Sequence, residues 1–116
     1  MIKYIFKNKE SIIHQGLQTA TIKSFELSYE TLWKYLKFYL EDSLGIGEVP
    51  SSPRGVFELS RQQKIITDEQ AERLSNATDG RNTAAHIYSQ DTIEELLEDI
   101  PEYIKLFKKV LDQVAP

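Results

Sequence analysis

Apolar residues recur along this chain at three- and four-residue spacing, the period of an α-helix with one buried face. The longest such run predicts one helix from Ser11 to Leu44. Phe25, Tyr29, Leu32, Leu36 and Tyr39 share a stripe that Ile22, Trp33 and Leu40 widen. Lys23, Glu30, Lys34, Lys37 and Glu41 take much of the outer face. Gly45 is placed to end the helix in a left-handed turn. Ahead of it, Ile2, Tyr4, Ile5 and Phe6 form an apolar cluster among lysines. That segment fits an extended arm or a fragment of helix, with Ser11 capping the long helix after it.

Beyond Gly45 the punctuation is clear. Residues 45–52 form a loop with two glycines and Pro50. Ser52 caps a short helix with Pro53 at its first position, where a missing N–H costs nothing. That helix runs through Val56, Phe57 and Leu59 to about Gln63, with Ile65 and Ile66 tucked under the connection. Thr67 and Gln70 have capping-box spacing, and Asp68 and Glu69 suit the positive helix start. The helix they open carries Ala71, Leu74, Thr78 and Ala85 inward and delivers Arg81 near its far end. Gly80 sits inside it, at a cost of about 1 kcal/mol relative to Ala. Its bare backbone would admit another chain or a substrate beside Arg81; the alternative is a glycine that the helix simply tolerates. Asp91, with Glu94 three residues on, caps the last helix, whose apolar face is Ile93, Leu96, Leu97, Ile100, Ile104, Phe107 and Leu111. Pro101 lies within it and predicts a kink. The fold class is therefore all-α, an antiparallel up-and-down bundle of the four-helix type, in a single domain spanning 1–116.

Composition narrows the function. The chain has no cysteine, which removes disulfides and thiolate metal sites and is compatible with a reducing cytoplasm. Its net charge is −4, so it does not hold nucleic acid by bulk electrostatics, and any RNA contact needs a local basic cleft. No apolar run approaches the roughly 20 residues that span a bilayer. The acidic run Glu94, Glu95, Glu98 and Asp99 reads as a solvated face and His14 as an ordinary surface histidine. No metal-ligand spacing or phosphate-cradling glycine loop stands out, so neither metal nor cofactor is expected.

One stretch breaks the pattern: Arg81-Asn82-Thr83-Ala84-Ala85-His86-Ile87-Tyr88 sets polar chemistry where a helix would carry core. Arg81 offers a fixed charge and a planar fork of donors suited to phosphate. His86 can give or take a proton near neutrality. Asn82 can orient either, and Tyr88 offers a hydroxyl. On an ideal helix Arg81 and Tyr88 lie within about 20° of one face, whereas His86 is about 140° away. Arg81 and His86 converge if the helix ends near His86 or if a second chain brings its own copy. The structural alternative is a capped helix end with Arg81 in a salt bridge.

Arg-Asn-x-x-x-His-x-Tyr late in a small helical chain resembles the signature of HEPN domains, above all the branch once called nucleotidyltransferase substrate-binding proteins. Phe25-Glu26-Leu27-Ser28-Tyr29-Glu30-Thr31-Leu32-Trp33-Lys34 is similar to that branch's Phe-Glu-x-x-Phe-Glu-x-x-Trp-Lys helix. Ser52-Pro53-Arg54 and Asp79, two places before the arginine, also match, so the likeness covers about residues 20 to 112. The resemblance implies a homodimer whose motifs face a shared cleft, and a cognate minimal nucleotidyltransferase as partner. It implies a metal-independent endoribonuclease, the toxin of a toxin–antitoxin pair, with Arg81, His86 and Asn82 catalytic, Asp79 supporting and Tyr88 the residue adenylylated by the partner. The alternative is a non-catalytic subunit that binds nucleotide or substrate for that enzyme; a helical interaction module without a site is a third reading. Family members usually begin with a further helix, for which there is little chain ahead of Phe25. The first helix is therefore expected to be truncated, leaving apolar surface for an interface or for Ile2–Phe6 to cover.

Overall fold

The computed structural model of the chain describes residues 2–85 and 90–114, with side chains from 11–85 and 91–114. Four helices form an antiparallel bundle: α1 (Ile2–Phe38), α2 (Pro53–Gln62), α3 (Asp68–Ala84) and α4 (Gln90–Val114). The longest, α1, packs on each of the other three, and α3 lies between α2 and α4.

The first helix differs from expectation at both ends. It begins at Ile2, so Ser11 lies inside it and caps nothing, and the residues ahead of Phe25 continue α1 in place of a separate helix. Nothing between Ile2 and Ser11 is a glycine or proline, so no local signal interrupts the ladder. At the other end the helix widens into a π-helical turn over Tyr39–Ser43, where Leu44 N–H donates to Tyr39 O. Gly45 then takes φ +66°, the left-handed turn that releases the chain.

The local signals of the shorter helices are satisfied as written. Ser52 accepts from Gly55 N–H with Pro53 at the first position, and Thr67 and Gln70 form the reciprocal capping box. The end of α2 is a Schellman turn in which Ile65 N–H donates to Ser60 O and Lys64 N–H to Arg61 O. Its left-handed position is Lys64, at φ 61°, where glycine is the usual occupant. Asp91 lies within the first turn of α4 and is not its cap; the capping position falls outside the described residues.

The core is aromatic where α1 meets α4. Phe25 stacks on Phe107 at 5.9 Å and meets Tyr103 at 5.7 Å, while Tyr29 sets its edge against Phe57 and Phe107. Leu32, Leu36, Leu40, Val56, Leu74 and Ile100 complete it. Two faces differ in register from the pattern. In α3 the fully buried alanine is Ala77, and Ala85 is exposed at the C-cap. In α4 the deepest positions after Pro101 are Leu106, Phe107, Val110 and Val114, with Ile104 and Leu111 at the edge and Ile93 outside the cluster. Gly80 has a packing cause: a Cβ there would stand 2.9 Å from Leu96 Cδ1, with Phe25 and Tyr103 rings close behind. Side chains of α4 and α1, not a ligand, take the space that it leaves.

Candidate functional site

The site residues that the structure describes sit on the last turns of α3. This helix ends at Ala84, and Ala85 N–H closes the final turn on Arg81 O at 3.1 Å. His86 and Tyr88 lie outside the described residues.

Arg81 is held on three sides. Its Nη2 donates to Glu30 Oε1 of α1 at 2.7 Å, and its Nη1 donates to Asn82 Oδ1 at 3.2 Å. Its guanidinium carbon lies 5.4 Å from the centroid of the Tyr29 ring, within cation–π range. A guanidinium carries five N–H donors in a planar fork, and among the described residues these contacts use two of them. About one third of the side chain is exposed, as is Glu30. Arg81 is neither sealed in the interior nor free on the surface.

Each support is itself supported. Tyr29, fully buried, shares a hydrogen bond with Thr78 across 2.7 Å, and Thr78 donates onward to Leu74 O. Burial raises the Tyr29 phenol above its ordinary value, against the Thr78 bond and the Arg81 charge. Glu30 Oε2 accepts from Trp33 Nε1 at 3.0 Å and lies 3.6 Å from Lys34 Nζ. Partial burial pushes the Glu30 carboxyl up, but hydrogen bonds from Arg81 and Trp33 and the charges of Arg81 and Lys34 outweigh it and hold it below the usual carboxylate range. The Glu30 bond in turn raises the Arg81 guanidinium, opposed by partial burial, so Arg81 carries its charge at every accessible pH.

Asp79 does not reach Arg81. Its carboxylate pairs with Arg54 Nη2 at 2.5 Å, and Arg54 Nη1 donates to Ser75 Oγ at 3.0 Å. The Ser-Pro-Arg segment and the aspartate thus meet as a brace between α2 and α3. On the other side of α3 lies a hollow of about 190 Å³, lined in part by Asp79, Gly80, Thr83, Glu95, Asp99 and Tyr103. Three carboxylates make it a poor seat for phosphate.

Glu30, Tyr29 and Trp33 were legible as helix face and core, not as site. The outer-face reading of Glu30 is corrected by its pair with Arg81. Its position next to buried Tyr29 was the available signal. Among the described residues no cluster of three His, Asp or Glu could hold a metal, and no helix is long and apolar enough to cross a membrane.

The fold is an all-α bundle with a partly exposed arginine, anchored by Glu30 and Tyr29, near the end of its third helix. The family model described as nucleotidyltransferase substrate binding protein like matches residues 1–115, and the chain belongs to that family. A crystal structure of a protein from Thermus thermophilus is similar at 29% identity and TM-score 0.78, covering 85% of this chain and 82% of that one. No curated protein matches.

Proposed function

We propose that this chain is the partner subunit of a minimal nucleotidyltransferase and that its Arg81 site holds and cleaves an RNA phosphodiester without a metal. The observation that carries the reading is the Arg81 fork, fixed by Glu30 and the Tyr29 ring with about one third of the side chain exposed. Arg81 would neutralise charge on the phosphoryl oxygens, the usual largest contribution at such a site. Asn82, already hydrogen-bonded to Arg81, would position one of them, and Asp79 would support α3 through Arg54. His86 would remove the 2′-hydroxyl proton as that oxygen attacks phosphorus and the 5′-oxygen leaves, giving a cyclic phosphate. Proton transfer of this kind contributes about 10²- to 10⁴-fold. Adenylylation of Tyr88 by the nucleotidyltransferase would add a phosphate charge and a base beside Arg81 and block the site. The cytoplasm, where RNA and that enzyme meet, is the proposed setting.

The second reading keeps the residues and removes the chemistry: a nucleotide-binding subunit, as the family description suggests. Incubating the protein with single-stranded RNA and with its deoxy analogue separates the two. Cleavage of RNA alone, lost in Arg81→Ala and His86→Ala with helicity retained, supports the ribonuclease. Saturable nucleotide binding that needs Arg81, with no cleavage, supports the second and rejects the first. Intact mass after incubation with the nucleotidyltransferase and ATP tests the regulation: a gain equal to AMP that survives Tyr88→Phe rejects Tyr88 as its site.

A further inference from the structure

The groove between α3 and α4 changes sign along its length. Near Arg81 it holds the hollow of Asp79, Glu95 and Asp99. Towards the start of α3 and the second half of α4 it opens into a cleft of about 450 Å³. Arg73 lines that cleft from α3, and Lys105 and Lys109 line it from α4. The chain carries a net charge of −4, so three cations around one cavity run against its overall balance.

The spacing gathers them. Gln70 and Arg73 are three residues apart and share a face of α3. Lys105, Lys109 and Gln113 recur at four-residue intervals along α4. Like charges four apart on a helix destabilise it slightly, and an anion bridging them removes that cost. Two carboxylates, Glu69 and Glu102, also line the cleft, and Glu102 lies 3.3 Å from Lys105. Glu69 stands four residues before Arg73, the favoured order for a helical ion pair, yet the two do not pair. Among the described residues neither Arg73 nor Lys109 belongs to an ion pair. Three cations against two carboxylates leave the lining one positive charge in excess.

The floor is fixed. Buried Gln70 and Gln113 exchange two side-chain hydrogen bonds, Gln70 Nε2 donating to Gln113 Oε1 at 3.0 Å and Gln113 Nε2 to Gln70 Oε1 at 2.8 Å. Gln113 Nε2 also donates to Ile65 O at 3.0 Å, and Gln70 Oε1 accepts from Thr67 N–H at 2.9 Å. These bonds tie the end of α4 to the start of α3, so the two walls that carry the cations are held in register.

The geometry points to a second anion site in this cleft, one that takes a short polyphosphate, either free or as the phosphates of a nucleotide. Cations on both walls suit a group with several phosphoryl oxygens. Arg73 brings a planar fork, and the two lysines bring point charges on flexible stems. The volume falls within the range of about 300–1,000 Å³ typical of small-molecule sites. An RNA strand is a poorer occupant, because along the same groove it meets the three carboxylates of the neighbouring hollow. Arg73 precedes Arg81 by eight residues, about 12 Å along α3, with Asn76 and Asp79 of that hollow between them. The site is therefore separate from Arg81 and stands whether Arg81 cleaves RNA or only binds nucleotide.

Isothermal titration calorimetry of the full chain with tripolyphosphate and with ATP tests it. Tripolyphosphate is expected to bind saturably at low ionic strength and more weakly as salt is added. Arg73→Gln with Lys109→Gln should lower the affinity at least about 10-fold, with helicity by circular dichroism near wild type. Lys105→Gln with Lys109→Gln, both at exposed positions, should act in the same direction without touching half-buried Arg73. Arg81→Ala should leave the affinity within about two-fold, since the sites are distant. Lys108→Gln removes the same charge from the next residue along, which lines the α1–α4 groove instead, and should also change little. In Arg81→Ala, ATP binding tighter than tripolyphosphate assigns the site to a nucleotide, and equal or weaker binding assigns it to the free chain. Absence of saturable binding by either anion, its loss in Arg81→Ala, or an equal loss in Lys108→Gln would overturn the proposal. Loss of RNA cleavage with tripolyphosphate binding intact bears on Arg81 alone.

Discussion

Asp79 and Arg81 are two residues apart on α3, and each is half of an ion pair to a different helix. Asp79 takes Arg54 of α2 and Arg81 takes Glu30 of α1. Their environments differ. Arg54 and Asp79 are 51% and 69% exposed, with Ser75 as a further hydrogen-bond partner of Arg54. Arg81 and Glu30 are about one third exposed, with the Tyr29 ring beneath and Trp33 behind. The same chemical pair is therefore a tether in one place and an oriented group in the other. The orientation comes from the aromatic residues around the pair, not from the pair itself.

The sharpest way to break that contrast is to remove the ring. Tyr29→Ala takes away a fully buried side chain that touches Phe25, Phe57 and Phe107 and underlies Arg81. Truncating a buried aromatic residue costs about 3–5 kcal/mol, a large share of the roughly 5–15 kcal/mol that holds a domain together. Thermal unfolding should show a drop well beyond about 10 °C. A loss under about 1 kcal/mol would mean that the aromatic cluster does not organise this end of the bundle.

Glu30 gives a smaller and pH-dependent effect. Its folded carboxyl is depressed, so its stabilisation is fully present above the unfolded value of about 4.3 and is lost as pH falls through the folded value. Near neutrality Glu30→Gln should cost up to about 1 kcal/mol, limited by the exposure of the pair. The melting-temperature gap between wild type and variant should narrow below about pH 4.5 and close in stronger acid. A gap constant from about pH 7 to about pH 3 would show that the charge of Glu30 contributes nothing.

How much of this could be read beforehand depends on the range of each interaction. Ser52, Gly45, Thr67 and Gln70 act within a few residues, and their caps and turns appear as the sequence predicts. Ser11 failed as a cap because a serine inside an uninterrupted helix looks the same in sequence as one at its start. The α4 face was ambiguous because Ile104, Leu106, Phe107, Val110 and Leu111 offer two overlapping stripes, and only the approach of α1 chooses between them. Arg81 was conspicuous as an arginine among small residues. Its partner, 51 positions earlier, was not, because periodicity places Glu30 on a face without saying what lies across it. The start of α1 was half legible: its apolar residues stood out, but that they continue the helix carrying Phe25 and Tyr29 required the structure.

Asp79→Asn probes the other half of the contrast and should do least. An exposed arginine–carboxylate pair contributes between nothing and about 1 kcal/mol, because water screens it and two side chains lose freedom to form it. The new amide would keep an oxygen that Arg54 can use, and Ser75 would retain its bond from the other guanidinium nitrogen. The expected shift in stability is therefore below about 0.5 kcal/mol, at the edge of measurement by chemical denaturation. The variant's use is as a control. The substitution falls on the same helix two residues before Arg81 but leaves Glu30 and Tyr29 untouched, so ligand binding at Arg81 should stay within about two-fold of wild type, whereas Glu30→Gln should alter it. If Asp79→Asn weakens ligand binding as much as Glu30→Gln does, the tether orients the site after all, and the distinction between the two pairs fails.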